Sequence, residues 1–480
     1  MTEIIGAEAR DTGSTDAARE WADGWPIVLA SLVGIALCLS PLPYWALIVI
    51  GPELEAEFGW SRIVWSSGFL YMTAGVLVSA PIVGTLVDRI GARPVLLPSI
   101  VALGLGTMAF SQMTADPRVF YAIFFLTAVL GTGTLPITWT KAIVNNFDRY
   151  RGLALGIALT GTGLYGFIAT PTIQWVIDGY GWRTAYVCVG ALPLLFSLPL
   201  AFFLFRDTRE TEALLAGRSG GIARPLGLGA AIATALFVAM ITLTSTLGVT
   251  AVIAMMATFL LGYVVLVYVQ GGEGSALPGL DVRAALRDYR FWVIFVAFLI
   301  LGASVSGIIA NSKNILLDKG YSAQDATSYL IGAGVIGLAT IVGRLIGGFL
   351  VDYIWAPLVA FVFMSVPAVG CFILAGEMGV GWNVFALVLV GVAAGVEFDL
   401  MAYFVSRYFG MKSYGRIYGL VYAAFGLGSG TSPVIFNILR GGADDYSGVL
   451  TVVAAGFVIG GVMLLALGRY RDFATDPPPP

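Results

Sequence analysis

The sequence predicts an all-α membrane protein: two six-helix bundles joined through an inserted two-helix hairpin, fourteen transmembrane helices in all. Three observations lead there. The 480 residues are 58% hydrophobic but only 11% charged, too little charge to coat a water-soluble globule of this size. The apolar residues gather into windows of the ~20 residues that a bilayer core requires. The chain also repeats itself at a nearly fixed offset. Gly84-Thr-Leu-Val-Asp88 recurs as Gly348-Phe-Leu-Val-Asp352, Gly152-x-x-x-Gly156 as Gly415-x-x-x-Gly419, and Pro171 as Pro433. Paired repeats of this kind build many secondary transporters, with substrate held between the halves.

Residues 1–20 are polar and lack the basic start and short apolar core of a cleaved signal, so they read as a disordered cytosolic tail. Residues 21–205 hold the first bundle, with apolar windows at 26–50, 62–87, 95–113, 118–144, 152–177 and 184–205. Residues 206–290 form a charged linker around the hairpin at 226–270. No charge occurs from Pro225 to Gly272, and the stretch breaks only at Thr242–Thr250, which divides it into spans at 226–246 and 249–270. Residues 291–470 hold the second bundle, with windows at 291–316, 326–351, 356–376, 382–405, 415–439 and 448–468. Residues 471–480 end in Pro477–Pro480, which cannot be helical and read as disordered. Eighteen of the 26 lysines and arginines fall on the side of the N-terminus and five on the other. That asymmetry puts both termini in the cytoplasm, for a multi-pass protein of an inner or plasma membrane.

Composition excludes several functions. There is no histidine, which removes the commonest metal ligand and the side chain that titrates near neutrality unaided. Cys38, Cys188 and Cys371 each sit in an apolar run and form neither a disulfide framework nor a zinc-spaced cluster. The glycine runs Gly161/Gly163/Gly166 and Gly426/Gly428/Gly430 lack the Gly-Lys-Ser/Thr of a phosphate loop and read as close helix crossings. No metal or cofactor is expected, and no nucleophile–base pair suggests an enzyme. At a net charge of −3 with scattered basic residues, no nucleic-acid surface is expected either.

The residues of the repeat also carry a family resemblance. Gly84-x-x-x-Asp88-Arg89-x-Gly91-x-Arg93, in the loop after the second span, resembles the major facilitator signature. The resemblance implies the major facilitator fold and a cytosolic clasp made by Gly84, Asp88, Arg89 and Arg93, with Asp352 as partner in the second half. Phe147-x-Arg149-x-Arg151-x-Leu153-Ala154-x-Gly156-Ile157-Ala158-x-x-Gly161 is similar to the monocarboxylate transporter pattern before the fifth helix. Asp23-Gly24-Trp25 resembles that family's other signature. Phe58-Gly59-Trp60-Ser61-Arg62, Arg290-Phe291-Trp292 and Arg407-Tyr408-Phe409-Gly410 resemble its bacterial relatives, which include oxalate–formate exchangers. The departures are specific. The family has twelve spans, not fourteen. Its animal members carry a lysine in the first helix, absent here, and an aspartate four residues before an arginine in the eighth. Arg344 matches that arginine, while Thr340 stands in place of the aspartate. Fourteen-span drug–proton antiporters share the central hairpin, but their Gly-Pro motif is missing from Gly161–Pro171.

Few charges lie inside the spans, and each is costly there unless paired or hydrated. Arg344 is eight residues before Asp352, ~12 Å into its helix. Its planar guanidinium suits a carboxylate. Lys141 lies as far before Arg149 and either snorkels to the interface or faces a polar cavity. Lys313, between Asn311 and Asn314, lies near the outer end of its span. Glu397 and Asp399 are two apart on one helix and point in different directions, so at most one of them is expected to face a cavity. A carboxylate removed from water holds its proton more readily, and with no histidine Glu397 is the first choice of proton carrier. Tyr44, Trp139 and Tyr403 are candidate lining residues among the aromatics of the spans. The expected function is alternating-access transport of a small, monocarboxylate-like organic anion, proton-coupled or by exchange. Arg344, Lys141, Tyr44, Trp139 and Tyr403 would bind the substrate, with Glu397 and Asp399 coupling to protons. Proton-driven efflux of an amphipathic compound and a non-transporting receptor on a carrier fold are the alternatives.

Overall fold

The computed structural model describes residues 20–205, 278–322, 335–440 and 446–473. The long helices, in chain order, are α1 (Glu20–Phe58), α2 (Arg62–Ile90), α3 (Ala92–Gln112), α4 (Pro117–Asn146), α5 (151–180) and α6 (182–203) in the first half. The second half holds α7 (Tyr289–Asp318), α8 (Val335–Tyr353), α9 (Ala356–Ala375), α10 (Val380–Phe409), α11 (Tyr414–Arg440) and α12 (Ser447–Leu465). Eleven described helices are long and apolar enough to cross a membrane, and α11, at 27 residues, is the remaining long one. Together they correspond to twelve of the fourteen expected spans. The hairpin at 226–270, both tails and most of the linker lie outside the described residues.

Local sequence sets the helix ends and breaks. Gly181 adopts φ 80° and ψ 162°, backbone that a side chain disfavours, and there α5 ends and α6 begins. Helix α1 is interrupted at 37–40, just before Pro41. Helix α4 is interrupted by a short tight turn at Thr132–Thr134, just before Pro136. Proline has no N–H to continue the ladder, so each break frees backbone groups. One is recovered between the breaks: Leu39 N–H donates to Thr134 Oγ1 at 3.1 Å. The two interruptions therefore lie against each other.

Within a bilayer, helices associate through close packing of small residues. A Cβ on Gly395 of α10 would lie 2.3 Å from the Thr340 carbonyl of α8, and one on Gly428 of α11 would lie 2.1 Å from the Leu299 carbonyl of α7. The halves meet along α2 against α11 and along α5 against α8, and α4 and α10 also cross between them. The repeated glycines meet crosswise. Gly84 of α2 packs on Gly415 of α11, where a Cβ would lie 2.2 Å from the carbonyl oxygen. Gly152 of α5 packs on Gly348 of α8, where it would lie 2.3 Å from the carbonyl. Repeat mates thus occupy equivalent places on opposite sides of one seam. Both contacts lie toward the face that carries the described chain ends, called the terminal face below.

Gly84→Ala and Gly152→Ala should each open that face, at a cost to the closed arrangement of about 1–3 kcal/mol. Spin-label distances across α2–α11 and α5–α8 would lengthen. Gly179→Ala should leave them unchanged, since no atom lies within 4 Å of its added Cβ.

Candidate functional site

The terminal face is closed by two aspartates in equivalent positions. Asp88, near the end of α2, accepts hydrogen bonds from the Gly415 and Arg416 N–H groups at the start of α11, both 2.9 Å. Asp352, near the end of α8, accepts from the Gly152 and Leu153 N–H groups at the start of α5, at 2.8 and 3.0 Å. A helix N-terminus has free N–H groups and a positive dipole end, so each carboxylate caps a helix of the opposite half. The glycines let the chains approach closely enough for these bonds. Asp88 is buried and also meets Lys141 Nζ at 3.1 Å and Arg416 Nε at 3.7 Å. Lys141 donates to the Val87 carbonyl as well, at 3.0 Å.

Deeper in the seam, α8 and α10 bring three ionisable groups together. Arg344, Glu397 and Asp399 are all buried. Arg344 Nη1 lies 3.6 Å from Asp399 Oδ1, an ion pair too long for a hydrogen bond. The guanidinium also lies over the Phe398 ring at 5.6 Å and within electrostatic reach of Glu397. Arg344 Nε and Nη1, both Asp399 oxygens and Glu397 Oε1 are buried without a hydrogen-bond partner among the described residues. The first half approaches through the break in α1. Cys38, at that break, is within electrostatic reach of Arg344. A charged cluster beside broken helices, at the seam between two repeats, is the arrangement in which transporters hold substrates.

The Major Facilitator Superfamily profile matches residues 33–433. The chain belongs to the Major Facilitator Superfamily. Monocarboxylate transporter 13 of Rattus norvegicus is 31% identical over 175 residues, which are 36% of this chain and 39% of that protein. The match thus spans well under half the length of that relative. Among solved structures, the proton:xylose symporter XylE superposes with a TM-score of 0.67 at 12% identity, over 94% of this chain and 97% of that one. The human organic anion transporter MFSD10 gives 0.63 at 15% identity, over 92% and 99%. These two likenesses establish the fold. The chain is a multi-pass membrane protein of this superfamily.

The residues singled out in the sequence separate into groups on this fold. Gly84, Asp88 and Asp352 meet at the terminal face. Arg344, Glu397 and Asp399 meet in the seam, with Asp399 the direct ion-pair partner of Arg344. Lys141 does not join Arg344, because Asp88 holds it at the terminal face. Trp139 is fully buried, donates to the Thr134 carbonyl at 2.9 Å and packs on Phe205, in the core of its own half. Tyr403 donates to the Val351 carbonyl at 3.0 Å, beside Asp352, with the Arg407 guanidinium over its ring. Tyr44 is half-buried against Phe69 and Trp45. Arg93 lies away from the clasp. It donates to the Phe202 carbonyl and stacks over that ring in the last turn of α6, where free carbonyls attract a guanidinium. The side chains of Arg89 and Lys313 are outside the described set. Reading the sequence by charge missed the breaks in α1 and α4. Their signals were Ser40-Pro41-Leu42-Pro43 and Gly131-Thr132-Gly133-Thr134-Leu135-Pro136.

Asp88 has partners of two kinds. Lys141 belongs to its own half and stays with it when the halves part, whereas Arg416 and the α11 N-terminus leave. Removing a partner from a buried charge penalises the state that relies on it most. Lys141→Gln should therefore favour the closed terminal face, and Arg416→Gln the open one. Spin-label distances between α2 and α11 should shift in opposite directions in the two variants.

Proposed function

We propose that the chain is a secondary transporter of a small, monocarboxylate-like organic anion, working by alternating access and driven by a proton or by exchange. The observation that carries this reading is Arg344: buried deep in the seam beside two carboxylates, with two guanidinium nitrogens lacking hydrogen-bond partners among the described residues. A guanidinium in that position is a carboxylate receptor, since its fork matches the geometry of two carboxylate oxygens.

Charge arithmetic links the anion to a proton. One guanidinium against two ionised carboxylates leaves the cluster net negative, which repels an anion. When Glu397 or Asp399 takes a proton, the cluster becomes neutral and an arriving carboxylate pairs with Arg344. Asp399 is the closer partner of Arg344 and the one that an anion would displace, so it ranks ahead of Glu397 as proton carrier. The basic loops make the terminal face cytosolic. Asp88 and Asp352 then form the cytosolic gate, and its opening releases the substrate inward. The names of the relatives support the same reading: 31% identity to a monocarboxylate transporter over part of the chain, and the fold of an organic anion transporter.

Purified protein in proteoliposomes should take up radiolabelled pyruvate, lactate or benzoate saturably, and faster with an inward proton gradient. No saturable flux of any organic anion would remove this reading. Arg344→Lys keeps the charge but loses the fork, so affinity should fall at least ~10-fold. Unchanged affinity would take Arg344 out of the site. Asp399→Asn should keep anion exchange between loaded vesicles while losing its response to the proton gradient. A retained gradient response would move proton coupling elsewhere, with Glu397→Gln the next variant to measure.

A further inference from the structure

Helix α11 carries three tyrosines four residues apart on one face: Tyr414, Tyr418 and Tyr422. Their rings form a ladder, with centroids 5.6 Å and then 6.1 Å apart, and all three are buried. One outer hydroxyl crosses the seam: Tyr414 shares a hydrogen bond with Thr140 of α4 at 3.1 Å, while the Tyr422 ring stacks on Phe398 of α10 at 5.9 Å. Tyr418, between them, is fully buried, yet its hydroxyl has no hydrogen-bond partner among the described residues. The ladder borders the charged cluster, since the Arg344 guanidinium lies over that same Phe398 ring at 5.6 Å. The Tyr418 hydroxyl is within electrostatic reach of Arg344 and Asp399, whose own polar atoms also lack partners among the described residues.

An unpaired buried hydroxyl is costly and calls for a partner that arrives later. Packing leaves Tyr418 little freedom to find one elsewhere, because the ladder holds its ring on both sides and the Tyr414–Thr140 bond pins α11 to the first half. We propose that Tyr418 is a substrate-binding residue, whose hydroxyl donates to the same carboxylate that Arg344 holds. The proposal rests on the organic-anion reading above. The donors match the ligand. A carboxylate offers about four acceptor sites, enough for the guanidinium and one phenol, and a phenol is protonated at neutral pH. The carboxylate is thereby held by α8 and α11 at once. These are the two second-half helices that pack along α5 and α2 of the first half, so occupancy of the site is felt at both seams.

The test is Tyr418→Phe, which keeps the ring and the ladder and removes only the hydroxyl. Equilibrium binding of labelled pyruvate, lactate and benzoate would be measured on purified protein in nanodiscs, beside wild type, Arg344→Lys and Tyr414→Phe. Loss of one hydrogen bond to a charged group should weaken the best-bound acid about 10- to 100-fold. The α2–α11 distances should stay as in wild type. Tyr414→Phe should do the reverse, shifting those distances and leaving affinity in place. If Tyr418→Phe binds like wild type while Arg344→Lys does not, the Tyr418 inference is overturned and the anion reading stands. If no acid binds wild type, both fall together. Should Tyr418→Phe not fold, 3-fluorotyrosine at position 418, a stronger donor, should tighten binding; no change or a weakening would overturn the proposal.

Discussion

Two aspartates in a low-polarity seam, each bonded to the N-terminus of a helix from the other half, organise this protein. A buried carboxylate demands hydrogen bonds, and here its donors are backbone N–H groups that the partner helix cannot satisfy itself. Each needs the other half. The bonds require main chains to approach within a distance that any Cβ would prevent, so Gly84 and Gly152, with Gly415 and Gly348, follow from the aspartates. The crossing of α2 with α11 and of α5 with α8 follows in turn from those glycines. Because the donors belong to one half and the carboxylate to the other, the contact is made or lost as a unit. That makes it a latch between two states, not a fixed strut.

The central cluster obeys a different logic. At the terminal face Asp88 and Asp352 each accept two backbone N–H bonds, whereas neither oxygen of Asp399 has a hydrogen-bond partner among the described residues. An Arg344–Asp399 separation of 3.6 Å preserves Coulomb attraction but forgoes hydrogen bonding. Such a deficit around ionisable groups is costly in the interior of a membrane protein. The same fold thus keeps two aspartates with well-bonded carboxylates and one aspartate without such bonds.

Much of this was legible in the sequence because the signals are periodic or paired. Apolar windows locate the helices, and the repeat offset locates Asp88 and Asp352 as equivalents before any contact is known. The depth of Arg344 could be counted from Asp352. Partner choice was not legible. Lys141 and Arg344 lie equally deep by residue count, yet one meets Asp88 and the other Asp399, since which faces of α2 and α4 meet depends on packing across the bundle. For the same reason the sequence put Glu397 first, whereas Asp399 is the residue that pairs with Arg344. Trp139 and Tyr403 read as aromatic candidates, but their polar atoms are taken up by the carbonyls of Thr134 and Val351. The breaks in α1 and α4 had visible proline signals, but hydropathy windows smooth over a four-residue interruption.

The repeat is therefore symmetrical in skeleton and asymmetrical in chemistry. Its glycines and aspartates match between halves, which gives two contacts of equal design side by side at the terminal face. The ionisable cluster lies on α8 and α10 of the second half, while the two breaks lie on α1 and α4 of the first. A twofold-symmetric site would place like charges opposite each other, where repulsion would open the seam. Opposing charges with a neutral stretch of interrupted helix avoids that penalty. The two halves therefore bring different chemistry to one seam: ionisable side chains from the second, interrupted backbone from the first.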